Sequence, residues 1–231
     1  MQFSPPLETV TLLRRYKRFL ADVERSDQTV ITVHCPNTGT MLSCSTAGSK
    51  AAISLATNPG RKYPHTLEMV KANDIWVGVN TSRTNSLVAE AIHEGQIAGF
   101  AKAATVTREV TIAAHCRLDL HISQPSGETW MEIKNCSLAE EGCALFPDAV
   151  SLRGQKHLRE LTLLARAGKQ AAIFFLVQRA DTDHFRPADR IDPVYGQLLR
   201  EAAQAGVTIL AYQAEVSPTG IAVTNRLPCQ L

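Results

Sequence analysis

The sequence predicts two modules: an all-β barrel or sandwich over residues 1–82, then an α/β domain of mixed sheet over residues 83–231. Three observations predict this. Up to about residue 80, short runs rich in β-branched and aromatic residues alternate with turn formers. After residue 84 helical periodicity begins, with caps and glycine stops. The 231 residues, 45% hydrophobic and 20% charged, suffice for one large domain or two small ones.

In the first module the predicted strands are RYKRFLADV, TVITVHC, AAISLAT, HTLEMVKA and DIWVGVN. Between them stand PNTG at 36–39, NPGRKYP at 58–64 and Asn73-Asp74. In the second, Thr84 or Asn85 caps a helix through SLVAEAIHE that Gly95 stops, with Leu87, Val88, Ala91 and Ile92 as its apolar stripe. Strands are expected at about 104–112, 115–122 and 129–136. A helix over about 152–167 turns Leu158, Leu161, Leu164 and Ala165 inward and ends at Gly168. The run AAIFFLV reads as a buried strand. Asp192-Pro193 opens a further helix that ends at Gly206, and VTILAY at 207–212 is the last strand. The order is α-β-β-β-α-β-α-β.

No apolar run approaches the roughly 20 residues of a membrane span, and the first 20 residues hold no uninterrupted apolar stretch of the kind a secretory leader needs. No membrane partner is expected. The six cysteines form no CxxC pair, which fits a reduced, cytoplasmic setting. The seven histidines show neither HxH nor HExxH spacing, so zinc is not expected. There is no GxGxxG and no P-loop, which argues against a nucleotide cofactor. Net charge is only +2, but residues 1–84 carry 10 Lys and Arg against 6 Asp and Glu, while residues 85–231 carry 14 against 16. The basic excess of the first third suits phosphates, although four extra charges are also common on domains with no such partner.

The chemistry concentrates around WMEIKNCSL at 130–138. In HCRLDLHI, Cys116, Leu118, Leu120 and Ile122 alternate with His115, Arg117, Asp119 and His121. In WMEIKN, Glu132 and Lys134 share a face. Two hairpin registers are open. If Ser123 pairs with Glu128, Asp119 stands opposite Glu132. If only Ser126-Gly127 form the loop, Asp119 faces Lys134 in an ordinary cross-strand ion pair that needs no function. Like charges face each other in the first register, and Mg²⁺ or Mn²⁺ between them would relieve the repulsion. Lys134 would then serve the attacking water or the phosphate.

An acid, a spacer and Glu-x-Lys on a hairpin resemble the PD-(D/E)xK nuclease motif, carried here by Asp119, Glu132 and Lys134. In some relatives a glutamate of the first core helix joins the metal. Glu90 is the candidate, with an ordinary solvent-facing residue as the alternative. A longer resemblance runs through RYKRFLADV, HCPNTGTM, NPGRKYPHTLEMV, VGVNTSRTNSLVAEAI, CRLDL, EIKNCSL, FPDAVSLRGQKHLREL and YGQLLREAAQAGV. These segments, in order, are similar to the sugar fermentation stimulation protein A family. The resemblance implies an OB-like barrel joined to a restriction-endonuclease-like domain. It also implies DNA binding with weak sequence preference and a link to regulation of maltose use. Two positions depart from it: Cys116 replaces a frequent Ser before Arg-x-Asp, and Asn135 replaces the usual Ser or Thr after Glu-x-Lys.

Arg14, Lys17 and Arg18 interleave with Tyr16, as in grooves where cations follow a backbone and rings stack on bases. On one extended strand only half of that cluster could share a groove. Arg61 and Lys62, in a turn, are further phosphate candidates. Arg153 and Lys156, at the head of the helix after the hairpin, border the site in this fold. A solvated surface explains any one of these without function. His115 and His121 share the Asp119 face, at the edge of the site or simply exposed. Asp148, in FPDA, is expected to cap the next helix or to lie near the metal.

The expectation is therefore a DNA-binding protein, with RNA as the other candidate polyanion, and a Mg²⁺- or Mn²⁺-dependent phosphodiester-cleaving site. The alternative is a non-catalytic DNA-binding regulator that retains the nuclease fold. Oligomeric state and the preferred nucleic-acid form are not legible.

Overall fold

A computed structural model describes residues 1–58, 60–102, 104–113 and 116–231, with only the backbone described at residues 113 and 116. His115, expected beside Asp119, lies outside the described residues. The first half holds β1 (Glu8–Tyr16), β2 (Leu20–Glu24), β3 (Val30–His34), β4 (Lys50–Leu55), β5 (His65–Ala72) and β6 (Ile75–Gly78). Neighbours run β3-β2-β1-β4-β5-β6, and a parallel pairing of β3 with β5 through His34 and Thr66 closes the sheet into a barrel. Strand order 1-2-3-5-4-1 is that of an OB fold. The barrel interior packs Leu12, Val23, Val33, Ile53, Leu67 and Val77, among others.

The run RYKRFLADV is not one strand. Lys17 and Arg18 occupy left-handed backbone at φ 49° and 61°, in a tight turn between β1 and β2. The Arg15 guanidinium sustains this turn. It donates to the carbonyls of Arg18 at 2.8 Å, Asn37 at 2.6 Å, Gly39 at 2.8 Å and Thr40 at 3.2 Å. One side chain thus binds the turn to the 37–40 loop.

A 3-10 turn at Thr81–Arg83 leads into α1 (Thr84–His93). The Asn80 side chain, not Thr84 or Asn85, accepts the first orphan N–H, from Ser82. Glu68 of β5, only 1% exposed, holds this junction. It accepts from Ser54, Asn80 and two of the three Arg83 guanidinium nitrogens at 2.6–2.8 Å. A buried carboxylate so fully bonded fixes where α1 begins.

The second half continues with β7 (Thr105–Ala113), β8 (Cys116–Gln124), β9 (Gly127–Cys136), β10 (Leu138–Glu140), β11 (Cys143–Phe146), α2 (Leu152–Arg166), β12 (Gln170–Val177), β13 (His184–Pro187), α3 (Pro193–Gln204), β14 (Thr208–Ser217) and β15 (Gly220–Leu227). The main sheet runs β15-β14-β12-β9-β8-β7; β9, β12 and β14 are parallel and the rest antiparallel. A small sheet, β10-β11-β13, lies apart from it. The predicted strands and helices are present. The short strands β10, β11 and β13, and the edge strand β15, are additional. Asp192 caps α3 through the Tyr195 N–H at 2.9 Å, and also accepts from the Ser151 N–H and the Gln155 side chain. Two helix N-termini therefore share one buried carboxylate.

The modules share a core. Leu7, Ala52 and Met69 pack in one cluster with Leu87, Ile92, Leu120, Met131, Phe174 and Tyr212. α2 and α3 cover the opposite face around Phe175, Tyr195 and Leu199. The chain's first residues also cross over, since Gln2 bridges Gly220 and the Ile221 N–H donates to the Met1 carbonyl. At the seam, the Gly78 N–H donates to the Gln178 carbonyl, and a Cβ on Gly78 would stand 2.2 Å from Gln178 Oε1. Gly78→Ala is therefore expected to destabilise the whole chain by about 1–3 kcal/mol, read as one lowered midpoint in urea unfolding, because no separate barrel transition survives a shared core.

Candidate active site

Hairpin β8–β9 takes the register in which Ser123 pairs with Glu128, and the ladder closes one pair further, Gln124 with Gly127. Extended by its own arithmetic, that register sets Asp119 opposite Glu132 and excludes the cross-strand ion pair with Lys134. The backbone ladder stops at Leu120 and Met131. Beyond it, the Ile133 N–H donates to Asp119 Oδ2 at 2.8 Å, where a regular ladder would use the Leu118 carbonyl. Strand β8 also turns here. Leu120 and Ile122 pack on the α1 side of the sheet, but Leu118 packs on the α2 side. The expected four-residue apolar face is thus split at Asp119.

The other Asp119 oxygen accepts from the Asn85 side chain at 2.8 Å. Asn85 stands in the first turn of α1, whose start the Glu68 network sets. Burial, then the Glu132 charge, holds the Asp119 carboxyl above the usual range. Glu132 is 2% exposed. Its Oε1 accepts from Lys134 Nζ at 2.5 Å and pairs with His157 Nδ1 of α2. Burial pushes its carboxyl upward, but the His157 hydrogen bond and the Lys134 charge outweigh that and leave it lowered. Among the described residues, Glu132 Oε2 is buried without a partner. Two facing carboxylates with an unsatisfied buried oxygen fit a hard divalent cation, which takes one or two carboxylates and fills its shell with water and phosphate oxygens. Among the described residues no group of three or more His, Cys, Asp and Glu gathers as a metal set.

Asp119, Glu132 and Lys134 line one cavity of about 520 Å³. Its walls come from both modules: Arg18, Asn37, Thr38 and Gly39 on the barrel, and residues 146–154 on the other side. Asp148 does not cap α2, a role taken by Ser151 through the Gly154 N–H at 3.1 Å. Instead it bridges the modules, accepting from the Met41 N–H at 2.9 Å and from Thr40 Oγ1 through its carbonyl. Asn135 also lines the cavity and accepts from Gln178 and Thr84.

Of the other predicted residues, Arg18 and Arg153 border this cavity. Glu90 does not join it. It lies 3.0 Å from the Met1 amine, in a separate crevice beside Ile221, because Asn85 and not Glu90 occupies the turn of α1 that meets Asp119. Arg14 covers the Tyr16 ring at 5.0 Å and pairs with Asp22, which also accepts the Tyr16 hydroxyl. Lys17 is exposed in the turn. Arg61 donates to Thr66 in a different cleft, and Lys62 stands over Tyr63. Lys156 is exposed on α2. His121 turns to Trp130 and Glu128. Asn85 and His157 were not singled out as site residues in the sequence. The helical spacing of His157, next to the buried Leu158, was the only available signal.

An OB barrel fused to a restriction-endonuclease-like α/β domain, with an Asp/Glu/Lys set on its splayed hairpin, defines the class of the protein. The family model described as SfsA N-terminal OB domain matches residues 13–79, and the one described as sugar fermentation stimulation protein RE domain matches residues 82–220. The chain belongs to the sugar fermentation stimulation protein family. It is 56% identical over 216 residues to the sugar fermentation stimulation protein homolog of Desulfotalea psychrophila, covering 94% of this chain and 92% of that one. It is 50% identical to the homolog of Citrifermentans bemidjiense over the full length of both. A solved structure described as Pyrococcus furiosus SfsA in complex with Ca²⁺ superposes with a TM-score of 0.90 at 28% identity, covering 100% of this chain and 98% of that one.

The opposite shifts of the two acids predict opposite stability effects. A carboxyl whose folded pKa is raised destabilises the fold above its titration, and one whose pKa is lowered stabilises it there. Asp119→Asn, with its oxygen still accepting from the Ile133 N–H and the Asn85 amide turned over to accept from its NH2, is therefore expected to raise the metal-free protein's stability at neutral pH by about 1 kcal/mol, a gain that vanishes as pH falls below the carboxylate range. Glu132→Gln is expected to cost about 3 kcal/mol at neutral pH, because it keeps an acceptor oxygen but removes the negative charge that Lys134 and His157 share. Urea midpoints for both variants, at neutral and acidic pH, check the signs.

Proposed function

We propose that this protein binds DNA with weak sequence preference and cleaves phosphodiester bonds at the Asp119–Glu132–Lys134 site, with Mg²⁺ or Mn²⁺. The observation that carries the reading is the pair of facing carboxylates in one cavity, one oxygen of which is buried and unsatisfied among the described residues. The Ca²⁺ named for the Pyrococcus furiosus protein supports a divalent cation as the natural occupant. Bound there, the cation would neutralise the carboxylate pair and polarise a phosphoryl oxygen.

The chain's own groups have distinct work. Asn85 and the Ile133 N–H hold the Asp119 carboxylate in one orientation. His157 holds Glu132 Oε1, which leaves Oε2 as the free donor atom. Lys134 spends one N–H on Glu132 and keeps two more for a water or a phosphate oxygen. Arg18 and Arg153 at the rim would hold flanking phosphates. The link to sugar fermentation comes with the family and not from the geometry of this site.

One observation favours the second reading, a DNA-binding regulator without catalysis: Lys134 and His157 already converge on Glu132, so the charges are partly balanced without a metal. Cleavage assays with Mg²⁺ or Mn²⁺ separate the two. The nuclease reading expects Lys134→Ala to lose about 10²–10³-fold in cleavage rate, with Glu132→Ala inactive and both still binding DNA. Binding without cleavage by wild type, on single-stranded, duplex and branched substrates, would establish the regulator. In either case Arg153→Ala should reduce the slope of log affinity against log salt by about 0.7–0.9.

A further inference from the structure

The cavity restricts the form of nucleic acid that can reach Glu132. We infer that the site takes an unpaired DNA strand, threaded between the barrel turn at residues 17–19 and the loop at 147–152, with Val150 and Leu152 against its bases. The inference rests on the DNA-binding reading above and adds the substrate form.

Size is the first argument. The cavity of about 520 Å³ adjoins a second of about 270 Å³ that Tyr16 borders; the two share Arg18, Thr38, Gly39 and Ala149 as lining. Spaces of this scale, roughly 300–1,000 Å³, suit small ligands. Spaces of this size hold single nucleotides, whereas a paired duplex could only lie across the mouth. Glu132, 2% exposed, forms part of the cavity lining, so a scissile phosphate must enter the cavity to meet it.

Rigidity is the second. The walls belong to different modules, and polar bonds tie them together across the cavity. Thr40 and Met41 of the barrel bond Asp148 of the opposite wall at 2.6 and 2.9 Å. The Asp148 carboxylate fills the space where a Cβ on Gly39 would stand. Arg179, fully buried, donates to barrel Ser43 and to the Ser137 carbonyl.

Rim chemistry is the third. Arg18 and Arg153 supply exposed cations. Val150 and Leu152, between them along the rim, are 64% and 74% exposed. Large apolar side chains beside a phosphate site gain most where base faces are open, since a duplex offers them only groove edges and forced-open steps. They cover the faces of unstacked bases, as apolar wedges and stacking platforms do elsewhere.

The test is fluorescence anisotropy in EDTA. The probes are a labelled DNA strand, the same strand as a blunt duplex, the same strand in a fork with unpaired arms, and an RNA strand of the same sequence. Single strand and fork are expected to bind about tenfold or more tighter than the duplex. A Val150→Ser/Leu152→Ser variant should lower strand binding to the duplex level while keeping the wild-type melting curve; Leu152→Gln alone serves if the double variant does not fold. Equal affinity for the duplex, or a preference that survives these substitutions, overturns the inference. Tighter binding of the RNA overturns the assignment to DNA. A strand preference with no metal-dependent cleavage leaves the inference standing and removes only the nuclease reading. No binding of any probe by wild type removes both.

Discussion

The Asp119 carboxylate takes a backbone N–H that a β-ladder would otherwise use, and the site depends on that substitution. By accepting from Ile133, it ends the pairing of β8 with β9 and lets the two strands diverge. The divergence opens a floor on which Glu132 and Lys134 project from a strand still fully paired to β12 on its other side. A sheet that kept its ladder would present the same three residues as flat surface decoration. Here they lie in a cavity, where charges are poorly screened and the repulsion of two acids is a standing cost.

Around that opening, the functional groups and walls are held by further polar groups, buried or half-buried, drawn from different parts of the chain. Glu68 of the barrel fixes Arg83 and Asn80, hence the start of α1, hence Asn85 on Asp119. Asp192 fixes the start of α2, hence His157 on Glu132. Arg15 and Asp148 fix the barrel loop that walls the cavity. The barrel is therefore part of the site's construction, and a chain cut between its modules would lose the support for Asp119 along with one wall.

Much of this was legible beforehand. The hairpin with Asp119, Glu132 and Lys134 is a matter of strand alternation and turn spacing, and both open registers kept these residues near one another. Helices with a proline at the first position and a glycine at the stop are short-range features that sequence expresses directly. What escaped has a common physical origin. Lys17 and Arg18 bend back because Arg15 bonds carbonyls some 20 residues away in the chain, which no local propensity reports. Glu90 looked right for a metal ligand because it is acidic and on the correct helix. Which turn of that helix meets the strand is set by Glu68, 15 residues before Arg83, which it grips at the head of the helix. His157 shows only that it lies next to a buried helix position; its partner Glu132 is on another element, which local spacing does not report. Edge strand β15 was missed because its outward residues are polar and only one face packs.

The central claim is that the Asp119 and Glu132 carboxylates form a divalent-cation site. It is tested most directly by crystals soaked in Mn²⁺, with anomalous diffraction recorded at the manganese edge. The account predicts a single strong anomalous peak within bonding distance of Glu132 Oε2 and an Asp119 oxygen, absent in Glu132→Gln crystals. A map with no peak there, and Lys134 still bonded to Glu132, would contradict it and leave the trio as a structural ion network.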